Sequence, residues 1–135
     1  MGTRSLTVFE DEGKEICVLY RQMDGYPEGH GMELKEFLSD MTVVNGISLA
    51  EKRRIANGMS CLCAQVIAHF KTEVGRFYVH SAKTRDVGED YIYTLSEEGG
   101  AVHLKIQEGW SKAKMDTVYK GPIAEFDAER LENKS

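Results

Sequence analysis

The chain is poor in several things that would have named a class at once. It has 2 prolines, 1 tryptophan and 3 cysteines in 135 residues. No apolar run approaches the roughly 18 residues that a spanning helix requires, so no membrane segment is expected. The start, MGTRSLTVFEDEG, lacks a basic segment followed by an apolar one, so no secretory signal is expected. Leu6 stands where the myristoylation pattern needs Ser or Thr. Cys17, Cys61 and Cys63 form no spaced framework, and reduced thiols in the cytoplasm are the expectation. Positive charge is short as well: 17 Lys and Arg against 22 Asp and Glu give −5. That balance argues against long nucleic acids and acidic membranes as partners. A local basic cluster remains able to take a small anion.

Metal-ligand spacing is missing too. The histidines are His30, His69, His80 and His103, with no His-x-x-x-His or Cys-x-x-Cys. Cys61 and Cys63 on a helix lie about 200° apart and face different ways. No metal and no cofactor are expected. His80 and His103 are not followed two residues later by Ser or Thr, so the pattern of a two-histidine phosphodiesterase is absent.

What is present suits one compact domain. Hydrophobic residues make up 41%, enough for a core. TRSLTVFE and EICVLYRQ read as a β-hairpin around DEGK, with Gly13 available for positive φ. Leu34, Phe37, Leu38 and Met41 predict a short helix from Met32 to Asp40. Ser48 and Glu51 match a capping box and predict a helix starting near SLAEKRR. Asn57-Gly58 is expected to interrupt it. Met59, Leu62, Cys63, Val66, Ile67 and Phe70 then form the clearest helical stripe in the chain. RFYVHSA, DYIYTLSE and AVHLKIQEG predict strands, and TVYKGPIAEF an edge strand because of Pro122. The order ββααββββ argues α+β, a mostly antiparallel sheet with two or three helices on one face.

The densest chemistry is RQMDGYPEGHG, residues 21–31. Its glycines permit backbone shapes that can turn several N–H groups toward an anion. Arg21 suits bidentate recognition of phosphate or carboxylate, and His30 adds a donor or charge. Tyr20 and Tyr26 offer rings for stacking. Asp24 can accept from a hydroxyl or amine, or can cap its own turn. A hairpin turn near Asp11–Gly13 puts residues 3–5 opposite 19–21, which brings Arg4 to the same sheet end as Arg21, a candidate anion clamp. Asn57 and His69 are further candidates, the first through its amide, the second at the end of the apolar helix. The loop is no P-loop, lacking the Lys-Ser/Thr ending, and no dinucleotide fingerprint, its glycine spacing being wrong.

MGTRS joined to a hairpin, then YRQMDGYPEGHG, VNGI and ANGMSCLCAQVIAHFK, resembles a family of small proteins of bacteria, archaea and tailed phages. Its members begin Met-Gly-Thr-Arg and carry Asp-Gly-Tyr-Pro-x-Gly after the second strand. The resemblance covers nearly the whole chain. It implies an intracellular protein that a phage can carry, and it transfers no catalytic residue. The expected function is therefore binding of a small phosphorylated ligand such as a nucleotide, for instance a phage-borne protein sequestering a host signalling nucleotide. The alternatives are a small hydrolase or transferase using His30 and Asp24, or an interaction protein with no ligand. Homo-oligomerisation is expected, because sheet edges need covering.

Overall fold

A computed structural model describes residues 2–46, 54–109 and 115–132. The chain opens with strand β1 (Ser5–Asp11) and strand β2 (Lys14–Arg21). Glu12 and Gly13 turn between them at φ 52° and 83°, the left-handed pair that a tight hairpin demands. Ser5 lies opposite Arg21 and Thr7 opposite Leu19, a register shifted from the expected pairing of 3–5 with 19–21, with an irregularity at Phe9/Glu10.

One π-helical turn (Pro27–Gly31) runs into helix α1 (Met32–Leu38), followed by short strands β3 (Thr42–Val44) and β4 (Ile55–Asn57). Helix α2 (Gly58–Phe70) leads to strands β5 (Phe77–Ser81), β6 (Tyr91–Glu98), β7 (Ala101–Glu108) and β8 (Asp116–Pro122). A 3-10 turn (Ile123–Glu125) and helix α3 (Ala128–Glu132) close the described chain.

The fold is α+β, and the described residues form eight strands in one curled sheet in the order β4-β3-β7-β6-β1-β2-β5, with β8 beside β7. The sheet is mixed: β1 runs parallel to β6 and β3 parallel to β4, while the other pairings are antiparallel. The element order differs from ββααββββ by the two short strands, each 3 residues long and too short for alternation to show. The parallel pair has a simple cause. β5 adds at the far edge, beside β2, and the chain must cross back to reach the free side of β1. The start of the helix expected from Ser48 lies outside the described residues, and where it was expected to continue, Ile55–Asn57 forms β4 instead. Asn57-Gly58 does not interrupt a helix; it starts α2, with Gly58 at φ 82°. β8 pairs with β7 and ends at Pro122, as an edge strand should.

Residues Ser5–Phe9 are all buried, because β1 is flanked by strands and covered on both faces. On one face Phe9, Leu19, Tyr93, Leu95, Leu104 and Ile106 pack with Met59, Leu62, Cys63 and Val66 of α2 and with Leu34 and Leu38 of α1. On the other face Leu6, Val8, Val18 and Ile92 cluster, with Tyr20, Val87 and Met115 against them. The polar positions Ser5 and Thr7 therefore point toward the helices, and the apolar Leu6 and Val8 point away. The alternation visible in the sequence is real, but neither face is solvent.

Candidate functional site

Arg21 is the last residue of β2 and faces the helices, on the same side as Ser5 opposite it. Its side chain is 5% exposed. Nε donates to the Met23 carbonyl at 2.7 Å, and Nη1 donates to Glu33 Oε1 at 2.7 Å. The guanidinium carbon lies 5.1 Å from the Phe77 ring centre and 6.0 Å from that of Phe70. A buried charge needs such partners to be tolerated.

The loop after β2 builds the third contact. Its left-handed residue is Asp24, at φ 63°, not a glycine. The loop's glycines permit close approach instead: a Cβ on Gly25 would fall 2.7 Å from Ser5 Cβ, and one on Gly29 would fall 2.7 Å from the Asp24 carbonyl. The Gly25 N–H donates to the Thr3 carbonyl at 2.9 Å, and the Tyr93 hydroxyl donates to the Gly25 carbonyl at 2.6 Å. So tied, the loop drives His30 into the interior.

His30 is fully buried. Its Nδ1 lies 3.1 Å from Arg21 Nη1 and its Nε2 lies 2.6 Å from Thr7 Oγ1. A guanidinium only donates, so Nδ1 must accept, and the proton resides on Nε2, which donates to Thr7. Burial, with the Arg21 charge adding to it, pushes the imidazole down to about 3. The ring packs 4.8 Å from Tyr93, edge on, and 5.3 Å from Phe70. His30 is thus a neutral prop for Arg21, with both ring nitrogens engaged.

In front of Arg21 opens a cavity of about 330 Å³. Glu33 and Glu36 of α1, His69 and Phe70 of α2, and Thr72, Glu73, Arg76 and Phe77 beyond it complete the wall. Arg76 Nη1 reaches Glu73 Oε1 at 3.4 Å. His69 stacks on Phe37 with ring centres 4.0 Å apart and 10° between planes. Neither hydrogen bond of Arg21 to loop or helix, nor that to His30, uses Nη2.

Of the residues picked from the sequence, Arg21 and His69 share this wall and His30 stands behind it. The others lie elsewhere. Arg4 is one step from Ser5, so the pleat turns it to the opposite face from Arg21. There its backbone N–H donates to Asp90 Oδ2 at 3.2 Å and its guanidinium lies over Gly88. The two arginines share a sheet end but cannot clamp one anion. Tyr20 is on that other face too, 6.1 Å from the Tyr78 ring and 6.0 Å from His80. Asp24 receives a long hydrogen bond, 3.4 Å, from the exposed Tyr26 hydroxyl, and neither residue lines the cavity. Asn57 Oδ1 accepts from the Gly46 N–H at 2.8 Å, which ties the two Asn-Gly turns together.

Sequence reasoning missed Glu33, Glu36, Glu73, Arg76 and Phe77. Glu33 and Glu36 were visible as the polar flank of the helix that follows the loop. Arg76 gave no signal, since its place depends on a left-handed φ of 66° before β5.

Among the described residues no group of three or more His, Cys, Asp or Glu is arranged to hold a metal, and no helix is long and apolar enough to cross a membrane. Comparisons with protein families, curated proteins and solved structures return no match, so the resemblance carried by Met-Gly-Thr-Arg and Asp-Gly-Tyr-Pro-x-Gly stands on those motifs alone.

Proposed function

We propose that the protein binds a small ligand carrying one anionic group and a planar ring with N–H donors, with a nucleoside monophosphate as the best-fitting class. The observation that supports this is Arg21: a guanidinium 5% exposed, fixed by Met23, His30 and Glu33, at the back of a cavity of about 330 Å³. That volume is at the lower end of small-molecule sites, roughly 300–1,000 Å³. Arg21 Nη2 and Arg76 supply donors for the anion, Phe70 and His69 supply ring faces, and Glu36 and Glu73 can accept from amino groups. Three carboxylates face two arginines in the wall, a slight excess of acidic groups. A polyphosphate would meet that charge unfavourably, which selects for a singly substituted phosphate or a carboxylate.

Binding fits the geometry better than turnover by His30 and Asp24. His30 has no free ring nitrogen, and Asp24 lies off the cavity. A thermal-shift series with AMP, GMP, cyclic AMP, ATP and inorganic phosphate tests the reading. At about 100 times its Kd a ligand stabilises the fold by about 2.7 kcal/mol. A monophosphate should raise Tm, ATP should do so less, and Arg76→Ala should remove the shift while leaving the unliganded Tm close to the parent's. Equal shifts in parent and variant would count against the site.

A further inference from the structure

We propose that Cys17 and Cys63 are a thiol pair built to close into a reversible intramolecular disulfide that fastens β2 to α2. Their sulfurs lie 2.9 Å apart. Unbonded heavy atoms normally settle further away, at about 3.5–4.0 Å for carbons. A disulfide bond measures about 2.05 Å, so the sulfurs need to close by about 0.9 Å. Backbone placement explains the proximity. Cys17 sits opposite Phe9 in the hairpin and so faces the helices, as Leu19 and Arg21 do. Cys63 belongs to the buried stripe of α2, directly above that part of the sheet.

The third cysteine does not share this arrangement. Cys61 lies on another side of the helix, and its sulfur donates to Gln65 Oε1 at 3.4 Å. The pair is also unequal. Cys63 is 5% exposed, and burial, together with the neighbouring Cys17 sulfur, pushes its thiol up. Cys17 is half-buried and is the sulfur that a small oxidant meets first.

The co-reactant is a low-molecular-weight disulfide such as oxidised glutathione. The Cys17 thiolate attacks one of its sulfurs, the small disulfide's S–S bond breaks, and one glutathione leaves as a thiolate that takes a proton. Cys63 then loses its proton and its sulfur attacks Cys17 Sγ. The bond between Cys17 and the second glutathione breaks, and that glutathione leaves. Two protein thiols are oxidised and one small disulfide is reduced to two thiols. The high proton affinity of Cys63 makes the second step slow at neutral pH and faster as pH rises.

The test is incubation of the folded protein with oxidised glutathione at pH 7 and pH 9, then alkylation, digestion and mass spectrometry. The expected product is a single 17–63 cross-linked peptide, formed faster at pH 9, with Cys61 still alkylated. Cys61→Ser should behave as the parent. Cys63→Ser should stop at a glutathione adduct on Cys17, and Cys17→Ser should form no intramolecular bond. The cross-link closes a loop with a sequence separation of 46, so the oxidised parent should melt roughly 7–14 °C higher than the reduced one. Full alkylation of all three thiols after oxidation at pH 9, a link through Cys61, or only intermolecular links would overturn the proposal. Cys17→Ser and Cys63→Ser are first checked for a reduced-state Tm, and where either fails to fold the parent's peptide map decides alone.

Discussion

His30 is uncharged at neutral pH because nothing in its surroundings can host a second proton. Arg21 donates to one ring nitrogen, Thr7 takes the proton of the other, and the ring is fully buried. In an unfolded chain the same imidazole titrates near the ordinary histidine value of about 6.5. Its folded value is lower, about 3, so the unfolded state binds the proton more readily. Stability from this residue is complete above the unfolded value and is lost as pH falls toward the folded one. The expected slope below pH 6.5 is about 1.4 kcal/mol per pH unit. Urea unfolding of the parent between pH 7 and 5 should show it, and His30→Gln should lack it. An NMR titration of His30 gives a second reading: its ring signals should stay unchanged to pH 5. The sequence marked His30 as unusual because a turn has no need of an imidazole. It could not reveal that the need came from Thr7 and Arg21, which lie 23 and 9 residues away. Arg4 shows the same limit from another side. Hairpin register placed it at the correct sheet end, and the pleat, one residue of phase, decided its face.

Helix α2 is the element most legible in the sequence, since its apolar stripe is also its buried stripe. Met59, Leu62, Cys63 and Val66 are buried, and Ile67 and Phe70 pack partly against the core. Leu62→Ala should destabilise the protein by about 2–5 kcal/mol, measured by denaturant unfolding. A loss below 1 kcal/mol would mean that the stripe does not face the sheet. The β1–β2 hairpin was legible for a related reason, because turn chemistry and strand pattern agree locally. β3 and β4 were not. Each is 3 residues long and is defined by its partners, β7 and the other short strand, rather than by its own composition. The loop at residues 21–31 was recognisable as special but was misread in mechanism. Its glycines serve close packing against Ser5 and the loop's own backbone, and the residue of the stretch that lines the cavity is Arg21, at the end of β2.

At the scale of the molecule, α+β could be read from the order of elements, but the crossing that makes β1 and β6 parallel could not. That crossing places β1 inside the sheet, between β6 and β2, and both its faces are buried. The cavity is a product of the same topology. It lies where two stretches distant in sequence converge: the end of β2 with the start of α1, and the end of α2 with the segment leading into β5. Only Arg21 and His69 among its walls were singled out beforehand as site candidates, because the rest are ordinary glutamates, a threonine, an arginine and two phenylalanines whose meaning is their proximity.

The central claim, a ligand site floored by Arg21, is most directly tested by amide chemical-shift mapping on isotope-labelled protein titrated with AMP. Saturable shifts should concentrate at Arg21, Glu33, residues 69–73, Arg76 and Phe77, and should vanish in Arg76→Ala. No saturable shift with any of the tested monophosphates, or shifts centred on the separate hollow formed by Thr3, Asp90, Tyr91 and Glu108, would contradict it.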